Sequence, residues 1–306
     1  GIPRVPVHHL LRSAARRFPL NIAINFEGAL ITYRRLNQES NRFANALRSL
    51  GIAKGDRVLL LLPNLPQFLI CYFGTLKAGA VAVFTLPSTD AAELARQARD
   101  CGARALVTVT KLGEVARQVR AQTSIQHIIF TGVGDYLPPL KHLAFLLTRE
   151  KQGGHRLGFE LDEGMHLLSR ILYTHSGHSP HVPIAPEDVA VIQYTTGTTG
   201  APKGVTLTHR NLVANALQTR HWLPTAQEGR ERFLCALPFA HSYGLTVALN
   251  VPVSLGATMI LKPGFDTADI LRTIQRHRPT LFPGVPSMYV AINNFPGARK
   301  YGIDSI

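Results

Sequence analysis

The densest chemistry in the sequence lies in one short run, Tyr194-Thr195-Thr196-Gly197-Thr198-Thr199-Gly200-Ala201-Pro202-Lys203-Gly204. Gly197, Gly200 and Gly204 allow tight backbone turns and the close approach of a bulky anion. Thr195, Thr196, Thr198 and Thr199 add hydroxyl groups and exposed backbone amides, and Lys203 adds a cation. A hydrophobic strand predicted over residues 189–194 feeds directly into this turn. Strand, glycine-rich turn and cation together make a cradle for phosphate. It is not a Walker A loop, because Gly-Lys-Ser/Thr is replaced by Pro202-Lys203-Gly204. A merely flexible turn would carry neither this density of hydroxyls nor the Thr208-His209-Arg210-Asn211 that follows.

Two further runs carry groups able to meet a ligand. Pro238-Phe239-Ala240-His241-Ser242-Tyr243-Gly244 places a histidine and a tyrosine after a predicted strand, and Gly284-Val285-Pro286-Ser287 follows another. Phe239, Tyr243, Gly244, Leu245, Val285 and Pro286 could outline an apolar pocket, with glycine leaving room for a ligand. The competing reading is ordinary core packing, since apolar residues after buried strands are common. His175, His178 and His181 have a spacing that suggests a metal, yet no cysteine or carboxylate joins them, and they read as loop. Arg210 and Lys77 are left out of the site; Lys77 reads as a solvated helix charge.

These groups need a frame. Short apolar strands are predicted at residues 57–62, 80–84, 105–109 and 127–130, between amphipathic helices at 33–50, 67–78, 91–101 and 112–123. A basic helix over 7–18 and a hairpin turning at Glu27-Gly28 come first. Residues 132–185 break the rhythm, with an apolar, basic excursion near 137–151. The order resumes with strands at 189–194, 232–237, 258–261 and 280–282, and helices at 211–221, 246–255, 268–278 and from 287. This is an α/β chain with mostly parallel sheets covered on both faces. Its expected division is a first subdomain at 1–185 and part of a second at 186–306.

With those motifs in place, the chain resembles the adenylate-forming superfamily of acyl-CoA synthetases, peptide-synthetase adenylation domains and luciferases. The 194–204 loop resembles that family's signature. Ile31-Thr32-Tyr33-Arg34-Arg35-Leu36, Leu76-Lys77-Ala78-Gly79-Ala80-Val81, the 238–244 run and Gly284-Val285-Pro286-Ser287 resemble its other elements, in the family's order. The resemblance implies two mostly parallel sheets in a layered αβαβα arrangement. It also implies ATP, Mg²⁺ and coenzyme A as the small molecules used. A carboxylate attacks the α-phosphate of ATP, and the thiol of coenzyme A then takes the acyl group. Lys203, Thr196 and His241 are the residues expected to act in catalysis. Thr195, Thr196, Gly197, Thr198, Thr199, Gly200, Lys203 and Gly204 are expected to hold the nucleotide. His241, Phe239, Tyr243, Gly244, Gly284, Val285 and Pro286 are expected around the acid. No residue is assigned to a metal. His241 is read as positioning the acid, because a carboxylate is already ionised near neutral pH.

The Tyr-Gly-x-Thr-Glu element, the ribose-binding aspartate, the hinge and the C-terminal lysine of the family are not found. The chain is therefore expected to be the front part of an enzyme and inactive by itself. The basic apolar excursion resembles that of long-chain ligases, which favours a medium- or long-chain fatty acid. Aromatic, short-chain or amino acids, or a scaffold that binds without turnover, are the alternatives. Lys plus Arg outnumber Asp plus Glu by 33 to 19, a formal charge of +14 that suits an anionic partner. No zinc finger, aromatic RNA-binding motif or dense basic tract points to nucleic acid. Three scattered cysteines and no secretory signal suggest reduced thiols in the cytoplasm. Peripheral contact with the inner face of the membrane and a homodimer are compatible with this reading.

Overall fold

A computed structural model describes residues 1–86, 88–148, 154–195 and 202–306. Among these the strands are β1 (Ile22–Phe26), β2 (Ala29–Thr32), β3 (Arg57–Leu61), β4 (Val81–Phe84), β5 (Ala103–Val109), β6 (His127–Thr131), β7 (Met165–Leu167), β8 (Val189–Thr195), β9 (Lys203–Thr208), β10 (Arg232–Cys235) and β11 (Thr258–Leu261). They form a seven-stranded sheet in the order β7-β6-β5-β3-β4-β8-β9 and a four-stranded sheet in the order β10-β11-β1-β2. Every pairing is parallel except the hairpins β1–β2 and β8–β9.

The two sheets face each other across a layer of helices. Alternation along β3 shows how: Val58 and Leu60 enter the core between the sheets, while Leu59 and Leu61 enter a second core on the far face. Helices Ala91–Cys101 and Gly113–Ala121 cover that far face. Helices Thr267–His277 and Pro286–Asn293 cover the outer face of the smaller sheet. Helix Pro66–Lys77 runs through the middle and is buried on all sides, so it lacks the polar stripe of a surface helix. The result is the layered αβαβα order.

Local sequence explains several boundaries. Glu27 and Gly28 both take positive φ, 54° and 97°, the backbone that joins two strands through a two-residue turn. Thr32 caps helix Tyr33–Ser49 by accepting from the Arg35 amide at 3.2 Å. Gly74 is where this helix meets helix Pro66–Lys77: a Cβ there would lie 2.6 Å from the Phe43 ring and 2.8 Å from the Ser40 carbonyl.

The structure departs from the sequence reading in four places. Residues 132–185 are not simply irregular, for β7 and helix Leu168–Thr174 add an edge strand and its cover. The segment after Thr174 is strapped to helix Tyr33–Ser49 through its carbonyls: Arg42 donates to Leu172 and His175, Asn41 to Gly177, Asn45 to Ser176 and His178, and Arg48 to Pro180. Residues 280–282 make only a single bridge, Phe233 with Leu281, instead of a strand. Lys77 is 5% exposed rather than solvated, with Nζ donating to Asn37, Ser40 and Asn41. The sheets also do not divide at residue 185, because β8 and β9 complete the larger sheet and β1 and β2 the smaller one.

Candidate functional site

The phosphate-loop sequence sits on the hairpin β8–β9. Tyr194 pairs with Gly204 and Thr195 with Lys203, so the two ends of the loop are held one residue step apart. Thr196, Gly197, Thr198, Thr199 and Gly200 lie outside the described residues. The Lys203 side chain is exposed and makes no hydrogen bond or ion pair among the described residues, so its ammonium is available to a ligand. Gly204 is closely packed: a Cβ would lie 3.0 Å from the Ile192 side chain and 3.3 Å from the Tyr194 ring, and both would have to give by a few tenths of an ångström.

Helix Ala91–Cys101 grips both sides of this hairpin. The Tyr194 hydroxyl donates to Asp100 Oδ2 at 2.5 Å and to the Gln97 carbonyl at 3.2 Å. Partial burial and these neighbours hold that phenol far above its ordinary pKa, so it stays a donor. On the other side Arg96 donates to the Pro202 carbonyl at 3.1 Å and stands over the Tyr194 ring. Its guanidinium is aimed by a two-pronged bond to Glu93, at 2.7 and 2.8 Å.

The His241 loop reaches the same hairpin through Gln193 of β8, whose Nε2 donates to the Ala240 carbonyl at 2.6 Å. Asn64, just beyond β3, holds the loop from below. Its Nδ2 donates to the Leu237 carbonyl at 2.7 Å and its Oδ1 accepts from the Phe239 amide at 2.9 Å. His241 itself caps the short turn Ser242–Gly244, with Nδ1 accepting from the Tyr243 amide at 3.3 Å. That use of Nδ1 leaves Nε2 as the ring nitrogen able to face a ligand. Asn64→Leu is expected to destabilise the protein by about 1–3 kcal/mol, because it strands a buried carbonyl and a buried amide together. Chemical denaturation monitored by circular dichroism checks this; an unchanged midpoint would mean that the loop holds itself.

Two expected pocket residues turn out to be structural. The Phe239 ring is fully buried, 5.4 Å from the Phe68 ring, and belongs to the core. Gly244 leaves no room for a ligand either, since a Cβ would meet the Pro238 carbonyl oxygen at 2.0 Å. It is a glycine because two backbone segments touch there. Tyr243 is 44% exposed on a groove of about 650 Å³. The groove runs between helix His209–His221, which contributes Asn211, Asn215 and Thr219, and the turn carrying Leu245, Thr246 and Val247. This second wall is a π-helical turn over Leu245–Asn250, which continues into helix Val251–Leu255. Gly284, Val285 and Pro286 do not line the groove. They lead into helix Pro286–Asn293, whose Tyr289 phenol is raised above its ordinary pKa by burial first and then by the nearby Tyr243.

Glu93, Arg96, Asn64 and Gln193 were not read from the sequence as site residues. Gln193 carried a signal, a polar side chain inside an apolar strand, and Asn64 another, an amide between two prolines at a strand end. Carboxylates near the hairpin are already engaged, Glu93 by Arg96 and Asp100 by Tyr194. No residue described at the loop therefore suits a magnesium ion.

A sequence model of the family described as AMP-binding enzyme matches residues 11–304. A long-chain-fatty-acid–CoA ligase of Bacillus subtilis is 38% identical over all of this chain and 54% of its own length. The chain thus spans about half the length of such curated relatives. An anthranilate CoA ligase, AuaEII, solved with anthranoyl-AMP, superposes with a TM-score of 0.80 at 22% identity, covering 99% of this chain and 54% of that one. ATP-bound MatB from Rhodopseudomonas palustris superposes at 0.77 with 24% identity, over 95% and 52%. ATP binding is typical of the family so matched. From the loop hairpin, the layered sheets and a family match along nearly its whole length, the chain belongs to the AMP-binding, adenylate-forming enzymes.

Proposed function

We propose that the protein carrying this chain is an AMP-forming fatty acid–CoA ligase acting on medium- or long-chain acids. The observation that carries the reading is the 38% identity along the entire chain to a ligase of that name. The groove beside His241 and Tyr243 supports it, with Leu207, Leu212, Leu245 and Val247 offering apolar walls to an alkyl chain.

In the first half-reaction an acid carboxylate oxygen attacks the α-phosphorus of ATP. A P–O bond to the β-phosphate breaks, pyrophosphate leaves and acyl-adenylate remains. Lys203, with the threonines of its loop, neutralises charge on the departing phosphates. His241 Nε2 orients the acid by donating to one carboxylate oxygen. In the second half-reaction the coenzyme A thiol gives up its proton and attacks the acyl carbonyl, and AMP leaves. Magnesium, when bound, neutralises phosphate charge; its protein ligands are not among the residues described at the loop, and no step here is assigned to it. Exposed Leu140, Leu143 and Leu147 on helix Pro139–Thr148 favour collecting the acid at a lipid surface. No helix among the described residues is long and apolar enough to cross a membrane.

Acid-dependent ATP–pyrophosphate exchange by the full-length protein tests the reading, with acids from acetate to palmitate plus benzoate. Exchange is expected to peak with the long acids; a peak at acetate or benzoate would reject the fatty-acid assignment. Thr246 offers a sharper check, because its hydroxyl donates to Asn215 across the groove at 2.6 Å. Thr246→Phe fills that space and is expected to move the optimum to shorter acids. An unmoved optimum would place the alkyl chain elsewhere.

A further inference from the structure

Helix His8–Arg17, helix Tyr33–Ser49, the end of helix Pro66–Lys77 and the strap near residue 181 enclose a pocket of about 230 Å³. Its walls include Lys77, Arg12, His8, Asn37, Asn41 and His181, and among the described residues no carboxylate. Buried cations are ordinarily matched by an acid, because removing a charge from water is costly. Lys77 is buried and makes bonds only to neutral oxygens of Asn37, Ser40 and Asn41. Arg12 has no hydrogen-bond or ion-pair partner among the described residues. His8 keeps Nδ1 buried with no partner, its ring edge-on to His209 at 6.3 Å. Asn37 turns its oxygens to Lys77, which leaves its amide N–H groups as donors.

We propose that this pocket is a second anion site, built for a compact tetrahedral oxyanion of phosphate size. Arg12 supplies the direct fork of donors, Asn37 and the His8 ring add single bonds, and Lys77 supplies charge from behind. Size sets the class. Sites for drug-sized ligands and cofactors run from roughly 300 to 1,000 Å³, so this pocket is small for a nucleotide and roomy for one phosphate with water. The inference does not depend on which acid the enzyme activates.

The present charge balance agrees. Burial, and then Arg12, bring Lys77 down to about 7, and burial, His209 and Lys77 lower His8 to about 3. The titratable groups facing the pocket are His8 and Arg12 from the first helix, Lys77 from the central helix and His181 from the strap; helix Tyr33–Ser49 contributes only Asn37 and Asn41. An anion relieves these repulsions and raises both values, so its binding takes up protons and tightens as pH falls.

Inorganic phosphate titrated calorimetrically into the full-length protein is the test, with Lys203→Ala present to remove the nucleotide loop's own cation. One phosphate is expected to bind, more tightly at pH 6 than at pH 8.5, and about tenfold or more weakly once Arg12→Ala is added. Arg12→Lys should keep part of the affinity, and acetate should bind far more weakly than phosphate. A melting profile gives an independent readout. Lys77 has a folded pKa below its unfolded one, so its contribution to stability rises with pH above about 7. Phosphate is expected to flatten that rise in the protein with Arg12 and to leave the profile of Arg12→Ala unchanged. No phosphate binding at tens of millimolar, binding indifferent to Arg12, or acetate bound as well as phosphate would each overturn the proposal.

Discussion

Gly244→Ala is expected to cost about 3 kcal/mol or more in stability and to abolish most adenylation with it. The added methyl would stand 2.0 Å from the Pro238 carbonyl oxygen and 2.8 Å from its carbon, both backbone atoms that cannot rotate away. Relief requires moving the 238–241 loop, which is pinned by Asn64 and Gln193. Since His241 rides on that loop, its ring moves with it. Urea unfolding gives the stability loss and pyrophosphate exchange the activity. A variant with an unchanged midpoint would show that the turn relaxes freely, and the loop would then lose its claim to be a rigid platform.

Lys203→Ala is expected to do the opposite: leave the fold alone and damage chemistry. Its side chain is exposed and unpartnered among the described residues, so removing it strands nothing. On the proposed reading, what disappears is a cation that neutralises charge growing on departing pyrophosphate. Comparable removal of a single stabilising group from a reacting anion costs roughly a hundred- to a thousandfold in rate, and the same loss is expected in kcat/KM for ATP. Unchanged adenylation at both limiting and saturating ATP would remove Lys203 from the site.

The α/β class with mostly parallel sheets was legible because short apolar strands alternate with amphipathic helices, and residues 91–101 and 258–261 match their elements at both ends; the layering of two sheets came from the family resemblance. β9 was missed because its residues are mostly exposed and read as a continuation of the loop; only pairing with β8 makes them a strand. β7 is three residues long, too short for any alternation to show. At the site, charge and hydroxyl density singled out the loop, since those features are local. Phe239 and Gly244 were misjudged as pocket residues because burial against Phe68 and contact with Pro238 are decided by distant or returning chain. Lys77 fails for the same reason: its hosts, Asn37, Ser40 and Asn41, lie about ten turns of helix earlier in sequence.

The makeup of the smaller sheet bears on how the chain is made as well as on what it does. Ile24 of β1 pairs with Met259 of β11, and among the described residues no other strand lies against that edge of β1. At a synthesis rate of about 5–20 residues per second, the first hairpin waits on the order of ten to fifty seconds for its partner to be translated. The parallel strands β3 to β6 need nothing from beyond Thr131, so they can assemble during that interval. The ribosome therefore delivers the larger sheet first, with the earliest hairpin held open as a sticky edge. Slow codons or a pause within the middle of the message would lengthen the time in which that edge can pair with a neighbouring nascent chain.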